Sequence, residues 1–312
     1  MADWGSGDIP DLTGKKAVVT GGNSGIGFET ARQLALHGAS VVVAARDAGR
    51  GSEAVDRILA EASDAKVVLG LLDLADLDSV AAFATAQLST GVPVNILVNN
   101  AAVMGVPDRH ESKQGFELQF ATNHLGHFAL TGRLLPSMRQ VAGSRVVTVS
   151  SLNHRAGTIH FDDLQLSEGY TPYTAYNQSK LSNAMFTLEL DRRLRAAGSD
   201  TLSVGAHPGY THTRLQFVGP RLDRPTFRAS VLGVLTRIGG QDASMGALPT
   251  LYAAAASDVS GGEYFGPRGI GETRGRPVRV SYSVRAHDAE TAQRLWQVSE
   301  ELTGVRFDLA PS

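Results

Sequence analysis

Tyr176 and Lys180 stand four residues apart in the stretch YNQSK, a spacing that on a helix places both side chains on one face. A phenol so placed can move a proton if its acidity is raised. An ordinary tyrosine titrates near ~10, and bringing it to about 7 takes roughly 4 kcal/mol. An ammonium about 4 Å away at an effective dielectric near ~20 supplies roughly that much, and one several Å farther does not. The pair therefore does chemistry only if it is held close. Ser150 and Ser151 end the run RVVTVSS, at the carboxyl edge of an expected strand, where open α/β sheets bind their ligands. A hydroxyl there can donate to a carbonyl oxygen while the tyrosine delivers or removes the proton. Singly, these residues have plainer explanations: a serine at a strand end is commonly a cap, and Tyr and Lys on a helix are commonly surface.

Positioning them requires a scaffold, and the chain alternates short apolar runs with longer helical patterns. Strands are expected around Val18 and Val19 and over 40–45, 66–72, 95–100, 145–150 and 201–206, each nearly continuous in apolar residues as parallel strands covered on both faces are. Helices are expected over 26–37, 50–62, 79–88 and 173–197, and AAAA (253–256) reads as helix. Strand and helix in alternation imply right-handed βαβ crossovers and an α/β fold: a single Rossmann-type doubly wound parallel sheet with helices on both faces. One domain is expected over 1–312, with 1–14 as an N-terminal extension, 207–262 as a substrate lid and 285–312 as a C-terminal helix and tail. Within the lid, 216–245 carries Val231, Leu232, Leu235 and Ile238 at helical spacing, a face that covers either an apolar ligand or a second subunit.

The first strand runs into TGGNSGIG (20–27). Gly21, Gly25 and Gly27 let the backbone turn tightly, and Asn23, Ser24 and Ile26 complete a loop whose helix N-terminus suits a pyrophosphate. The second strand ends AARD, where a dinucleotide site chooses its ribose partner. Arg46 suits the 2′-phosphate of NADP, so NADP(H) is expected ahead of NAD. Asp47 is the competing residue if the register slips by one.

Bulk properties bound the partners. The 312 residues are 42% hydrophobic with net charge −2, enough to bury roughly 75% of the unfolded surface. Charge is spread without blocks, so neither nucleic acid nor an anionic membrane is indicated, and a small molecule is. The absence of cysteine excludes disulfides, iron–sulfur clusters and thiolate zinc, and fits a reducing compartment. The polar start MADWGSGDIPDLTGKK is no secretory signal, and no run approaches the ~18 apolar residues of a membrane span, so a cytoplasmic location is expected. His124 and His127, at helical i, i+3 spacing, and His154 and His160 lack the acidic residue and fourth ligand of a metal site. They are read as packing, hydrogen-bonding or cleft-lining residues, and no metal is expected.

Taken in order, these motifs resemble the short-chain dehydrogenases/reductases. TGGNSGIG is similar to that family's TGxxxGxG loop, NNAA (99–102) to its NNAG, YNQSK to its YxxxK, and HPG (207–209) to its proline-glycine turn. The resemblance implies catalytic roles for Asn123, Ser151, Tyr176 and Lys180. Tyr176 would be the acid/base, Lys180 would lower its pKa and hold the nicotinamide ribose, Ser151 would orient the substrate oxygen, and Asn123 would position a water. Cofactor contacts would also come from Asp73 and Leu74 beside adenine, from Asn100 and Ala101, and from Pro208, Gly209, Thr211 and Thr213 beside the nicotinamide. Ala102 replaces the last glycine of NNAG. NHLGHF (123–128) and the insertion NHRAGTIHFDDLQ (153–165) look like the retinol dehydrogenase-like and protochlorophyllide reductase-like branch and favour Ser151 over Ser150. The implied reaction is hydride transfer between nicotinamide and a carbonyl or alcohol, with a hydrophobic aldehyde or ketone as the expected substrate. A non-catalytic dinucleotide-binding sensor and a sugar-nucleotide epimerase or dehydratase of the extended type are the alternatives, and a homo-oligomer is left open.

Overall fold

The computed structural model describes residues 3–211 and 241–309. Eight strands form one sheet in the order β3-β2-β1-β4-β5-β6-β7-β8. They are β1 Lys16–Thr20, β2 Ser40–Ala45, β3 Val67–Leu71, β4 Ile96–Asn99, β5 Arg145–Val149, β6 Leu202–Ala206, β7 Tyr264–Pro267 and β8 Pro277–Arg279. Neighbours are parallel from β3 to β7, and β8 returns antiparallel. The order reverses between β1 and β4, so a crevice opens at their carboxyl ends.

Every residue of β1 is buried, which is why it reads as unbroken apolar sequence, while Val68 and Leu71 of the edge strand β3 are exposed. One face of the sheet is covered by α1 (Gly25–Leu36), α2 (Ala48–Glu61) and α6 (Ala243–Ala255), through residues such as Leu34, Ile58 and Leu251. The other carries α3 (Leu77–Ser89), α4 (Gly126–Met138), α5 (Pro172–Ala196) and α7 (Ala289–Thr303), with Phe83, Leu134, Leu190 and Trp296 in their core. The six strands expected from sequence are present, and AAAA forms the end of α6, with Ala256 as its C-cap. The two strands after the expected lid, β7 and β8, carry no alternation long enough to announce them. Leu232, Leu235 and most of the 216–245 segment lie outside the described residues.

Candidate active site

α5 starts under local instruction. Thr171 Oγ1 accepts from Thr174 N at 3.0 Å, and Pro172 occupies the first helical turn, where a missing N–H is harmless. Tyr176 and Lys180 follow on the same face, both buried, Lys180 to 2% exposure. Lys180 Nζ donates to the Val149 carbonyl at 3.0 Å and lies 5.6 Å from the centre of the Tyr176 ring. Ser150 Oγ donates to the Lys180 carbonyl at 2.7 Å, which stitches the end of β5 to α5 and commits that hydroxyl to structure. Ser151 instead opens the 3-10 turn Leu152–Ala156, with its Oγ accepting from Asn153 N at 3.2 Å. Of the two serines, Ser151 is the one whose hydroxyl bears on Tyr176.

The acid strengths differ from the sequence expectation in an informative way. Burial pushes the Tyr176 phenol up to about 12, and the Ser151 hydroxyl opposes the rise. Burial also drives the Lys180 ammonium down to about 7. An ammonium that is itself being deprotonated, and whose hydrogen bond goes to Val149, cannot pull the phenol down. The lowered Tyr176 pKa expected from Lys180 is thus reversed: burial raises it and keeps the phenol protonated.

Asn123 sits in one turn of π-helix, Ala121–Leu125, just before α4, and such turns recur at functional sites. Its Oδ1 accepts from Val103 N at 2.8 Å, and its Nδ2 donates to Val103 O at 3.0 Å and to Ser179 Oγ at 2.9 Å. It clamps the chain leaving β4 onto α5, beside Lys180.

At the β1–α1 turn, Gly21 has φ 64°, and a Cβ on Gly27 would stand 2.3 Å from Gly21 O and 2.4 Å from Asn100 Nδ2. No side chain fits there, so strand, turn and helix close tightly. Ser24 is the N-cap of α1 but makes no side-chain capping bond, which leaves the positive end of that helix without an internal acceptor from this residue. Asn23, Ser24, Gly25 and Ile26 are half-buried along the rim. These features fit a dinucleotide phosphate.

Asp47 is taken by structure, capping α2 by accepting from Arg50 N at 3.0 Å, whereas Arg46 is exposed at the end of β2. Asp73 Oδ1 accepts from Ala75 N at 2.9 Å. The Leu74 carbonyl is so close to Gly126 of α4 that a Cβ there would lie 2.3 Å away. Asn100 Nδ2 donates to Thr20 O at 2.8 Å, and Asn100 N and Ala101 N donate to Thr20 Oγ1 at 2.9 and 3.0 Å. Pro208 accepts from Thr211 Oγ1 at 2.9 Å and from Gln241 Nε2 at 2.8 Å. Gly209 adopts φ 65°, and Thr213 lies outside the described residues.

Histidine chemistry accounts for contacts that no motif announced. Burial lowers His127 to about 4 and His124 to about 3, so both rings are neutral. His127 Nδ1 faces only the Asn123 carbonyl, at 3.0 Å, and therefore donates there, leaving Nε2 to accept from Thr20 Oγ1 at 2.8 Å. It ties β1 to the Asn123 turn. His124 Nε2 meets Ser299 Oγ of α7 at 2.9 Å. His154 Nε2 accepts from Ser283 N at 3.0 Å, so its Nδ1 donates to Ser151 O at 2.6 Å. Among the described residues no cluster of His, Asp and Glu is arranged to hold a metal ion.

The fold is a Rossmann-type α/β sheet that gathers a Ser, Tyr and Lys beside β5 and a glycine-lined turn at β1. The family model described as short chain dehydrogenase matches residues 15–218, and the chain belongs to that family of oxidoreductases. Retinol dehydrogenase 12 of Mus musculus is 39% identical over 299 residues, covering 95% of this chain and 89% of its own. Polyprenol dehydrogenase of the same organism is 41% identical over 302 residues, 95% and 86% covered. A crystal structure of an uncharacterized Mycobacterium paratuberculosis protein superposes with TM-score 0.80 at 42% identity, over 98% of this chain and 100% of that one.

Proposed function

We propose that the protein is a single-domain, NADPH-preferring reductase of apolar aldehydes or ketones, with Tyr176 as the proton donor. The observation that carries this reading is the buried Tyr176–Lys180 pair with Ser151 directed at it. When bound, the nicotinamide supplies the hydride. Ser151 donates a hydrogen bond to the carbonyl oxygen and orients it. Tyr176 gives that oxygen its proton, and a phenol held protonated, as burial holds this one, is the form that reduction needs. Lys180 fixes the floor of the site by donating to the Val149 carbonyl, and a tyrosinate left behind on the same helix face would draw a proton back onto its amine. Arg46 would hold the 2′-phosphate of the cofactor, and the α1 N-terminus with Gly21 and Gly27 would receive its pyrophosphate.

An apolar substrate is supported by two facts. Two relatives are named for retinol and polyprenol, both long apolar alcohols. Ile270 and Val284, 98% and 90% exposed, border the segments that reach the Ser151 turn. A cytoplasmic location accords with a chain that has no cysteine. Among the described residues no helix is long and apolar enough to cross a membrane.

Tyr176→Phe tests the assignment. Turnover with NADPH across a carbonyl panel should fall by about 10²- to 10⁴-fold, while NADPH affinity by fluorescence titration stays within a few-fold. Wild-type turnover in the variant would sink it. Tight NADPH binding by the unmutated protein with no turnover of any carbonyl would favour the dinucleotide sensor instead.

A further inference from the structure

One carboxylate lies where two turns of the site meet. Glu272 ends the 3-10 turn Ile270–Glu272 between β7 and β8 and holds φ 57°, the left-handed region, which is strained for a non-glycine residue. Such a conformation persists only where contacts enforce it. Glu272 Oε1 accepts from Arg155 Nη2 at 2.7 Å, and Oε2 meets His207 Nε2 at 3.0 Å. Gly209 N donates to His207 Nδ1 at 3.2 Å, so the ring proton resides on Nε2 and is donated to Glu272. These bonds, from His207 first and Arg155 next, bring the Glu272 acid down to about 2.

The two partners belong to different parts of the site. Arg155 lies in the 3-10 turn that Ser151 caps, at the carboxyl end of β5. His207 follows β6 and leads directly into Pro208 and Gly209. The main chain beside Glu272 is pressed against the same turn. Tyr210 N donates to Thr273 O at 2.8 Å, and a Cβ on Gly209 would stand 2.3 Å from Thr273 O. His207 itself is fully buried, with no room for a side chain at Gly266, where a Cβ would lie 2.1 Å from its Nε2.

We infer that Glu272 is a positioning residue of the reductase reaction, one carboxylate that sets the separation of the Ser151 turn from the His207–Gly209 turn by accepting from both Arg155 and His207. This rests on the function proposed above. The backbone strain at Glu272 gives the test its resolution. Glu272→Gly removes the carboxylate and relieves the left-handed strain at once, so a residue that merely closes the β7–β8 connection would lose nothing in turnover. Glu272→Gln keeps the side-chain shape but offers one acceptor oxygen where two donors converge.

The experiment measures kcat and KM for a carbonyl substrate at saturating NADPH, and NADPH Kd separately, at a temperature where near-UV circular dichroism shows each variant folded. Both variants are expected to lose kcat by about 10- to 100-fold, the scale of a reacting group displaced by about 1 Å, with Kd for NADPH within a few-fold of wild type. If the glycine variant does not fold, the glutamine variant decides alone. A kcat within two-fold of wild type overturns the inference, and so does a rise in KM or Kd with kcat intact. Tyr176→Phe runs alongside: its loss of turnover together with an unimpaired Glu272 variant overturns this inference alone. Full turnover in Tyr176→Phe overturns the site reading and this inference together.

Discussion

Lys180→Met should make the ligand-free protein more stable while abolishing most of its turnover, and the pH dependence of the gain identifies its cause. The Lys180 ammonium, 2% exposed, falls from 10.5 to about 7 through burial alone. That shift corresponds to roughly 5 kcal/mol of unfavourable charge burial at and below neutral pH. Methionine has a similar length and no charge, but its introduction leaves the Val149 carbonyl without the donor that Lys180 supplies at 3.0 Å, which returns ~1–3 kcal/mol. The net gain is about 2–4 kcal/mol. At ~2.1 cal/mol/K per residue over 312 residues, Tm should rise by about 3–6 °C. The sign follows from proton counting. Between about pH 7 and 10.5 the unfolded lysine holds a proton that the folded one has released, so wild-type stability climbs through that window. The methionine variant lacks that climb, so the Tm difference is largest near about pH 6 and closes towards about pH 10. Differential scanning fluorimetry of both proteins across that range measures it. A variant less stable than wild type at every pH, or a gap that does not narrow as pH rises, refutes the burial argument.

Two further outcomes are expected. Wild type should prefer NADPH over NADH by at least tenfold in kcat/KM, about 1.4 kcal/mol, and Arg46→Asp should reverse the order; equal kcat/KM for the two cofactors would show that Arg46 plays no part. Gly27→Ala places a methyl 2.3 Å from Gly21 O, an atom of the turn itself, and 2.4 Å from Asn100 Nδ2 just after β4. Calorimetry should therefore find NADPH binding at least tenfold weaker, and an unchanged Kd would show that the loop opens without loss.

Local physics made much of the scaffold legible. Strands covered on both faces must be apolar throughout, so β1, β2 and β4 to β6 stood out, and the glycines at β1–α1 were visible because no other residue tolerates that closure. The Tyr176–Lys180 spacing placed both on one face without any tertiary knowledge. What could not be read is whatever depends on burial and distant contacts. Placing an ammonium near a phenol suggests a lowered phenol pKa, yet complete burial acts on both groups, and desolvation outweighs an attraction that weakens as Lys180 loses its proton. The tie from His127 to Thr20 spans 107 positions and that from Arg155 to Glu272 spans 117, separations at which no motif operates. Glu272 carries no signal at all in sequence, since its significance lies in a backbone angle and two partners that meet only after β7 forms.

The C-terminal helix shows how a legible element can still have an illegible consequence. Its periodicity announces α7, and Asp288 caps it by accepting from Thr291 N at 3.1 Å, but nothing in that pattern says where it docks. It lies across α4 and α5, where Trp296 stands 5.0 Å from Phe128 and 5.8 Å from Phe186, ring centre to ring centre. Phe307 beyond it reaches Phe128 at 4.8 Å, and a Cβ on Gly132 of α4 would meet Val305 at 2.7 Å. α7 and the residues after it thus cover this face of α4 and α5, and uncovering it would expose large aromatic side chains worth about 1.5–3 kcal/mol each. That packing holds α4 and α5 together, and with them Asn123, at the head of one helix, against Ser179 on the other.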